Sequence, residues 1–324
     1  MESAKLEPWM LLSDWRADER TWLWVDLASW PEDLPLDPLP PVPVIGVGPS
    51  AHPQAGGVDA VTEPGFSLSR LADQIAAAPQ AAAAIVQLLR ATEGLAPARA
   101  LVAESFAYAM LQHGGEHAAW LKRHSGKPAT PAAAPSPPLR ISRAGDRLDV
   151  VMIRPANHNA IDRSMRDALF DAFTLAAMDE TITAVQVSSE GRVFSVGADL
   201  GEFGTIQHGL AAHQIRVRTL PAWPMIRRAG IYHVHVQGGC VGSGLELAAF
   251  AGRITASSRA WFQLPELAMG ILPGFGGCVS LPRRIGRQRA ALLILSGRRI
   301  DASTALAWGL VDALAETAPE GEAR

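Results

Sequence analysis

Tyr232-His233-Val234-His235-Val236, running through Gln237-Gly238-Gly239-Cys240-Val241-Gly242-Ser243-Gly244 into Leu245-Glu246-Leu247-Ala248-Ala249-Phe250-Ala251, is the stretch that decides the fold. Alternating β-formers predict a strand over 232–236, the glycines a tight turn, and the helix-forming run a helix over 245–251. Glu246 then falls in a helix's first turn, where the backbone already favours an anion. Twenty positions on (266 − 246 = 20), Gln263-Leu264-Pro265-Glu266 leads to Pro273-Gly274-Phe275-Gly276-Gly277. Read singly, Glu246 is a helix-start carboxylate and Glu266 a solvated loop charge. Brought to one site, the two could hold a water and divide base and acid work between them.

Upstream, Phe194-Ser195-Val196-Gly197-Ala198-Asp199 follows a short apolar strand, Ala184 to Val187, with small residues that let backbone approach a ligand closely. One N–H from this turn and one from the Gly242 to Gly244 turn, aimed at a single point, would stabilise a carbonyl oxygen gaining negative charge. Leu148 to Ile153 reads as another strand, and Asp162 as the cap of a helix with Met165, Leu169 and Phe173 on one face. The order is alternating α/β.

The 324 residues suffice for one large or two modest domains. Twenty-nine Lys and Arg against 32 Asp and Glu give a net charge of −3, which provides no global field for nucleic acid. Cys240 and Cys278 are the two cysteines, too few for a disulfide framework and consistent with a reducing compartment. His233 and His235 share a strand face at a spacing compatible with a metal, but no third ligand stands nearby, and they are expected to be packed or hydrogen-bonded. Neither a signal peptide nor a membrane span is evident, so the expectation is a cytoplasmic protein.

Four phrases in order, Arg154-Pro155 with Asn159-Ala160, Phe194 to Asp199, Gln237-Gly238 through Glu246, and Pro265-Glu266 through Gly277, resemble the enoyl-CoA hydratase/isomerase, or crotonase, superfamily from about Leu139 to Ala313. The resemblance implies an α/β fold with a crotonase-like ββα spiral core. It implies an acyl-CoA substrate, an enolate bound by the N–H groups of Ala198 and Ser243, and acid–base work by Glu246 and Glu266. Having both acids points to an enoyl-CoA hydratase, a lyase. The alternatives are another crotonase reaction (isomerase, thioesterase or carbon–carbon cleavage) and a non-catalytic acyl-CoA-binding subunit. Coenzyme A contacts are expected at Ser195, Gly197, Asp199, Lys122 and Arg123, with Asp199 chiefly anchoring its turn. No tightly bound cofactor or metal is implied, coenzyme A arriving with the thioester, and the expected assembly is a homotrimer or a dimer of trimers.

The sequence departs from the family pattern at several points. Ser243 stands for a glycine, Gln237 for an asparagine, Gly239 for a larger residue and Gly252 for an aspartate, changes that could enlarge or redirect the acyl pocket. A loop over 203–220 is expected to shape that pocket. Arg283-Arg284-Ile285-Gly286-Arg287-Gln288-Arg289 reads as a solvated helix entry, or as a contact to coenzyme A phosphates or a neighbouring subunit.

Three regions follow: 1–124, a Pro/Ala-rich linker at 125–138 and the core at 139–324. Within the first, Trp22 to Val25 and Val42 to Gly46 read as strands, and 68–123 as two or three amphipathic helices broken near Pro79 and at Gly94 to Pro97. Gly57 to Val61, Leu71 to Pro79 and Glu104 to Arg123 resemble the segment that family members carry after the core. The expectation is that this cover has moved in front, by circular permutation or as the residue of a duplication. The competing reading is an unrelated helical domain.

Overall fold

Three sheets organise the chain, whose computed structural model describes residues 4–12, 20–124, 137–206 and 208–317. The expected linker falls outside these except for Pro137 and Pro138. Strands β1 (Ala4–Lys5), β2 (Leu23–Asp26), β3 (Val44–Val47) and β4 (Ala60–Val61) form an all-parallel sheet in that order. Its own small core contains Leu6, Leu23, Val25, Leu27, Val44 and Val58.

Next come α1 (Leu68–Ala77), α2 (Pro79–Thr92), α3 (Pro97–Gln112) and α4 (Gly115–His124), four helices rather than two or three. Their boundaries have local causes. Ser67 Oγ accepts from Arg70 N to open α1, while Pro79 and Pro97 occupy first-turn positions where the missing N–H costs nothing. The break that periodicity missed lies at His113-Gly114. Beyond it, Glu116 of α4 accepts from Gln80 N and Ala81 N, capping α2 from another helix.

In the core, β5 (Leu139–Ala144) and β6 (Arg147–Met152) form a hairpin, followed by α5 (Arg163–Met178), β7 (Ala184–Ser189), α6 (Gly209–Thr219), α7 (Ala222–Met225) and β8 (Tyr232–Val236). Then run β9 (Gly239–Val241), α8 (Ser243–Ala248), β10 (Arg253–Ala256), β11 (Trp261–Gln263), α9 (Gly277–Ile285) and α10 (Arg287–Ser296). The described chain closes with β12 (Ile300–Asp301), α11 (Ala302–Trp308) and β13 (Ala313–Leu314). The six-stranded sheet has the order β13-β10-β8-β7-β6-β5, parallel except for the hairpin, and β12-β11-β9 makes a smaller sheet. Register aligns Val150, Val187, Val234 and Ile254 in one buried row across four strands. The period of two thus puts every second side chain of these strands inside. Asp162 caps α5 as expected, its Oδ1 accepting from Met165 N at 2.7 Å, and Met165, Leu169 and Phe173 form the buried stripe.

The segment 203–220, expected as a loop, contains the helix α6. It packs along α3, with the Phe106 and His213 rings stacked 4.2 Å apart and Ser105 Oγ 2.8 Å from His213 Nδ1. Its polar composition hides a helix whose partner lies about a hundred residues earlier. Buried residues of α1, α2 and α3, including Leu71, Ile75, Ile85, Leu89, Leu101 and Tyr108, belong to the same apolar cluster as the large sheet.

Candidate active site

Glu246 and Glu266 converge on one cavity of about 190 Å³ whose walls also include Gly197, Ala198, Gly242, Ser243, Tyr108, Arg216 and Phe275. The strand-turn-helix stretch places the first acid. Strand β9 ends at Val241, Gly242 turns with φ +48°, and α8 carries Glu246 inward, 1% exposed. Gly242 is required twice over: its φ suits glycine, and a Cβ there would lie 2.6 Å from Glu266 Oε1.

Glu246 Oε2 accepts from Phe275 N at 2.6 Å and Gly277 N at 2.8 Å. Its Oε1 has no hydrogen-bond partner among the described residues. Burial pushes this carboxyl up to about 7, against the pull of the two N–H bonds and of the Arg216 guanidinium. Glu266 sits at the start of a tight turn, Glu266–Met269, with its Oε2 buried and unpartnered. Burial, and then the charge of Glu246, holds its carboxyl well above the usual range. The cavity therefore has one carboxylate braced by donors and one carboxyl that favours keeping its proton.

The two small-residue turns meet beside this pair. Ile161 N donates to Gly197 O and Asp199 N donates to Ile161 O, so the N–H of Ala198 points away from that ladder. Ser243 N belongs to the first turn of α8, where helical bonding leaves N–H groups over. A Cβ on Gly197 would stand 3.5 Å from Ser243 N, which measures how closely the turns approach. Two donors beside two acids form an arrangement suited to a carbonyl compound that passes through an oxyanion.

Of the residues expected to contact coenzyme A, Gly197 and Asp199 line the cavity, and Asp199 Oδ1 accepts from Gly201 N, anchoring its turn. Ser195 does not line it. Fully buried, its Oγ donates to Asn159 O and accepts from Gly197 N, supporting the turn from behind. Lys122 and Arg123 lie in the last turn of α4, also off the cavity wall.

Sequence reading missed three residues of the site region. Tyr108 of α3 fills the space left by Gly274, where a Cβ would come within 1.9 Å of its ring. Arg216 of α6 lies 3.7 Å over the Tyr108 ring and donates to Gly274 O. Glu104, 1% exposed, accepts from Gly276 N and Cys278 N. An acid in the apolar run between Leu101 and Tyr108 was the available signal.

Other expectations are corrected by packing. Gln237 binds Ser189 O and Oγ through its Nε2, Gly239 lies so close to the Trp261 ring that a Cβ there would clash with it at 2.6 Å, and Gly252 abuts Gly230. None of the three lines the cavity, so they do not reshape it directly. The arginine cluster grips other parts of the chain rather than solvent. Arg284 pairs with Asp312, Arg287 with Glu93 and Asp59, and Arg289 with Glu63. His233 and His235 both bond Thr255 Oγ1. Among the described residues no group of three or more His, Cys, Asp or Glu side chains is placed to hold a metal.

Residues 148–320 match the family model for enoyl-CoA hydratase/isomerase. The chain belongs to the enoyl-CoA hydratase/isomerase family. It is 32% identical to the 2,3-dehydroadipyl-CoA hydratase of Escherichia coli K12 over 53% of this chain and 67% of that one. A mevalonyl-coenzyme A hydratase of Beauveria bassiana is 30% identical over 54% of this chain and 64% of its own length. The crystal structure of an enoyl-CoA hydratase from Thermoplasma volcanium superposes with a TM-score of 0.51 at 34% identity, covering 56% of this chain and 73% of that one. The chain thus spans about two thirds of the length of these curated relatives.

Proposed function

We propose that the protein is an enoyl-CoA hydratase that adds water across the 2,3 double bond of an acyl-CoA thioester. The carrying observation is the pair of buried glutamates at one cavity, one braced by two N–H groups with a free oxygen, the other with an unpartnered Oε2. Glu246 orients water and takes its proton as the oxygen bonds to the β-carbon. The electron pair of the double bond moves onto the thioester oxygen, where Ala198 N and Ser243 N stabilise the enolate. Glu266, whose surroundings favour the protonated form, delivers a proton to the α-carbon. The net change is one water added, with no oxidant or metal required.

Gly197 and Asp199 stand at the turn where the thioester would lie. Coenzyme A arrives and leaves with the substrate, with no tightly bound cofactor. The working form is proposed to be a homotrimer or dimer of trimers in the cytoplasm; no described helix is long and apolar enough to cross a membrane. We further propose that α1–α4 take the place of the helical cover that family members carry after the core. Tyr108 and Gln112 on the cavity wall and the shared apolar cluster support that reading.

Loss of enoyl absorbance on mixing with crotonyl-CoA and a panel of longer and carboxylated enoyl-CoA thioesters tests the assignment. Turnover to the 3-hydroxyacyl product is expected for at least one of them. Thioester binding without turnover across the panel would identify a binding subunit instead, and double-bond migration an isomerase.

A further inference from the structure

Four consecutive backbone N–H groups at the entry to α9 are divided between two buried glutamates in strict alternation. Phe275 N and Gly277 N donate to Glu246 Oε2, at 2.6 and 2.8 Å. Gly276 N and Cys278 N donate to Glu104 Oε1 and Oε2, at 2.8 and 2.9 Å. The two carboxyl groups therefore grip the same turn from opposite sides, Glu246 from α8 and Glu104 from α3. We propose that Glu104 is a positioning residue for Glu246: it fixes the 275–278 turn that holds the Glu246 carboxyl and, through its charge, sets how readily Glu246 takes a proton. The proposal rests on the assignment of proton transfer to Glu246.

The donors on Glu104 pull toward its charged form, against its burial. Each of its two oxygens accepts an N–H, a pattern that suits an ionised carboxylate better than a carboxylic acid, whose hydroxyl oxygen is the poorer acceptor. Burial and then the charge of Glu246 hold the Glu104 carboxyl well above the usual range, against the pull of its two N–H donors and of the Arg216 guanidinium. Glu246 differs in using one oxygen for both donors, leaving Oε1 to exchange a proton. Groups facing Glu246 from the elements around it are Glu266 on its turn, Glu104 and Tyr108 on α3, Arg216 on α6 and Cys278 on α9. Tyr108 and Cys278 are pushed upward by burial and stay neutral at moderate pH. That leaves Glu104 and Glu266 as the like-charged neighbours and Arg216 as the opposing one. Burial raises Glu104 and Glu266 alike and the charge of Glu246 adds to both, so the three acids titrate as one coupled group, in which Glu104 is the member that shares the 275–278 turn with Glu246.

Removing the Glu104 carboxyl takes one acid out of that coupled group and should make Glu246 a weaker base. In Glu104→Gln the acidic limb of the kcat/KM profile should move down by about one pH unit, the order of shift a close charge produces. The same variant should lower kcat more than it raises KM, because the 275–278 turn that loses an acceptor holds Glu246 and contributes Phe275 alone to the cavity wall. Carboxyl infrared titration of the substrate-free protein provides a second readout that needs no turnover. Coupling is reciprocal, so Glu246→Gln must lower the titration point of Glu104 by the same amount that Glu104→Gln lowers that of Glu246. Glu246→Gln keeps an amide oxygen able to accept both N–H groups, which makes it the safer variant to fold. Matching downward shifts would establish the coupling. Unchanged titration of Glu104 in Glu246→Gln, or an unmoved acidic limb in Glu104→Gln, would reduce Glu104 to an anchor of the helix entry. Should the wild type turn over no enoyl-CoA, the hydratase assignment fails, while the infrared titrations still decide the role of Glu104.

Discussion

The two parts of the region before the core differ in kind. The sheet β1–β4 has a core of its own on one face, built from Leu6, Leu23, Val25, Leu27 and Val44, while Ile45 and Ala60 on the other join the large apolar cluster, and a seam of charges ties its edge to the rest. Asp59, 1% exposed, accepts from Val44 N and from both Nε and Nη2 of Arg90, and Arg287 adds bonds to Val58 O and Gly56 O. Glu63 joins the seam, accepting from Arg289 and from Trp308 Nε1. Helices α1–α3, by contrast, merge their apolar faces with the large core, and α3 delivers Tyr108 and Glu104 to the glutamate pair. The comparison teaches that the small sheet keeps a second core of its own whereas α1–α3 have none apart from the large one, although the sequence is most easily cut at the Pro/Ala-rich stretch.

The strongest way to break this comparison is to divide the chain both ways. A fragment of residues 139–324 is expected to aggregate or lack activity although it keeps both acids, because it exposes the apolar face that α1–α3 cover. Recovering it as a soluble, active protein would show that the helices are accessory. Moving 66–124 to follow residue 317 through a flexible linker should restore folding, since the same contacts can form through another connection.

Within the site, Glu246→Gln and Glu266→Gln should each lower kcat by roughly 10² to 10⁴ while leaving circular dichroism unchanged. Wild-type rates from either variant on a confirmed substrate would remove that residue from the chemistry.

At the seam, Asp59→Ala leaves Arg90 and Arg287 facing each other without their shared carboxylate. It should cost about 3–5 kcal/mol in urea denaturation, the range for breaking a buried charge pair. The same variant should keep its kcat if the sheet only clamps the outside of the molecule. A large fall in kcat without loss of stability would instead tie the sheet to the cleft.

A smaller effect concerns pH. The Glu246 carboxyl is raised from its ordinary 4.5 to about 7 in the folded protein, so between those values the native state binds a proton that the unfolded chain has lost. This contribution to stability is full below pH 4.5 and disappears as pH rises through about 7. Glu246→Gln should accordingly flatten the decline in melting temperature across that window; an unchanged slope would mean that the group titrates alike in both states. Smallest of all, Ser243→Gly should leave activity near wild type, because the proposed donor is the backbone N–H. A lost rate would bring the hydroxyl into the reaction.

Much was legible in the chain before folding because local chemistry carries it. The strand at 232–236, the Asp162 cap, the breaks at Pro79 and Pro97 and the two glycine-framed acids follow from periodicity, caps and turns within a few residues. The sequence by itself determined the family resemblance, the alternating α/β order and the identity of the glutamate pair. Tertiary structure decided the rest, since the deciding contacts join distant positions. Glu104 meets Gly276 across 172 residues, Arg287 meets Gly56 across 231, and α6 acquires its helical character beside α3. No window of local sequence contains both partners of such a contact. The arginine cluster therefore read as a solvated helix entry or a contact to coenzyme A or a neighbouring subunit, and Glu104 only as part of a covering segment, until packing brought each to the group that holds it.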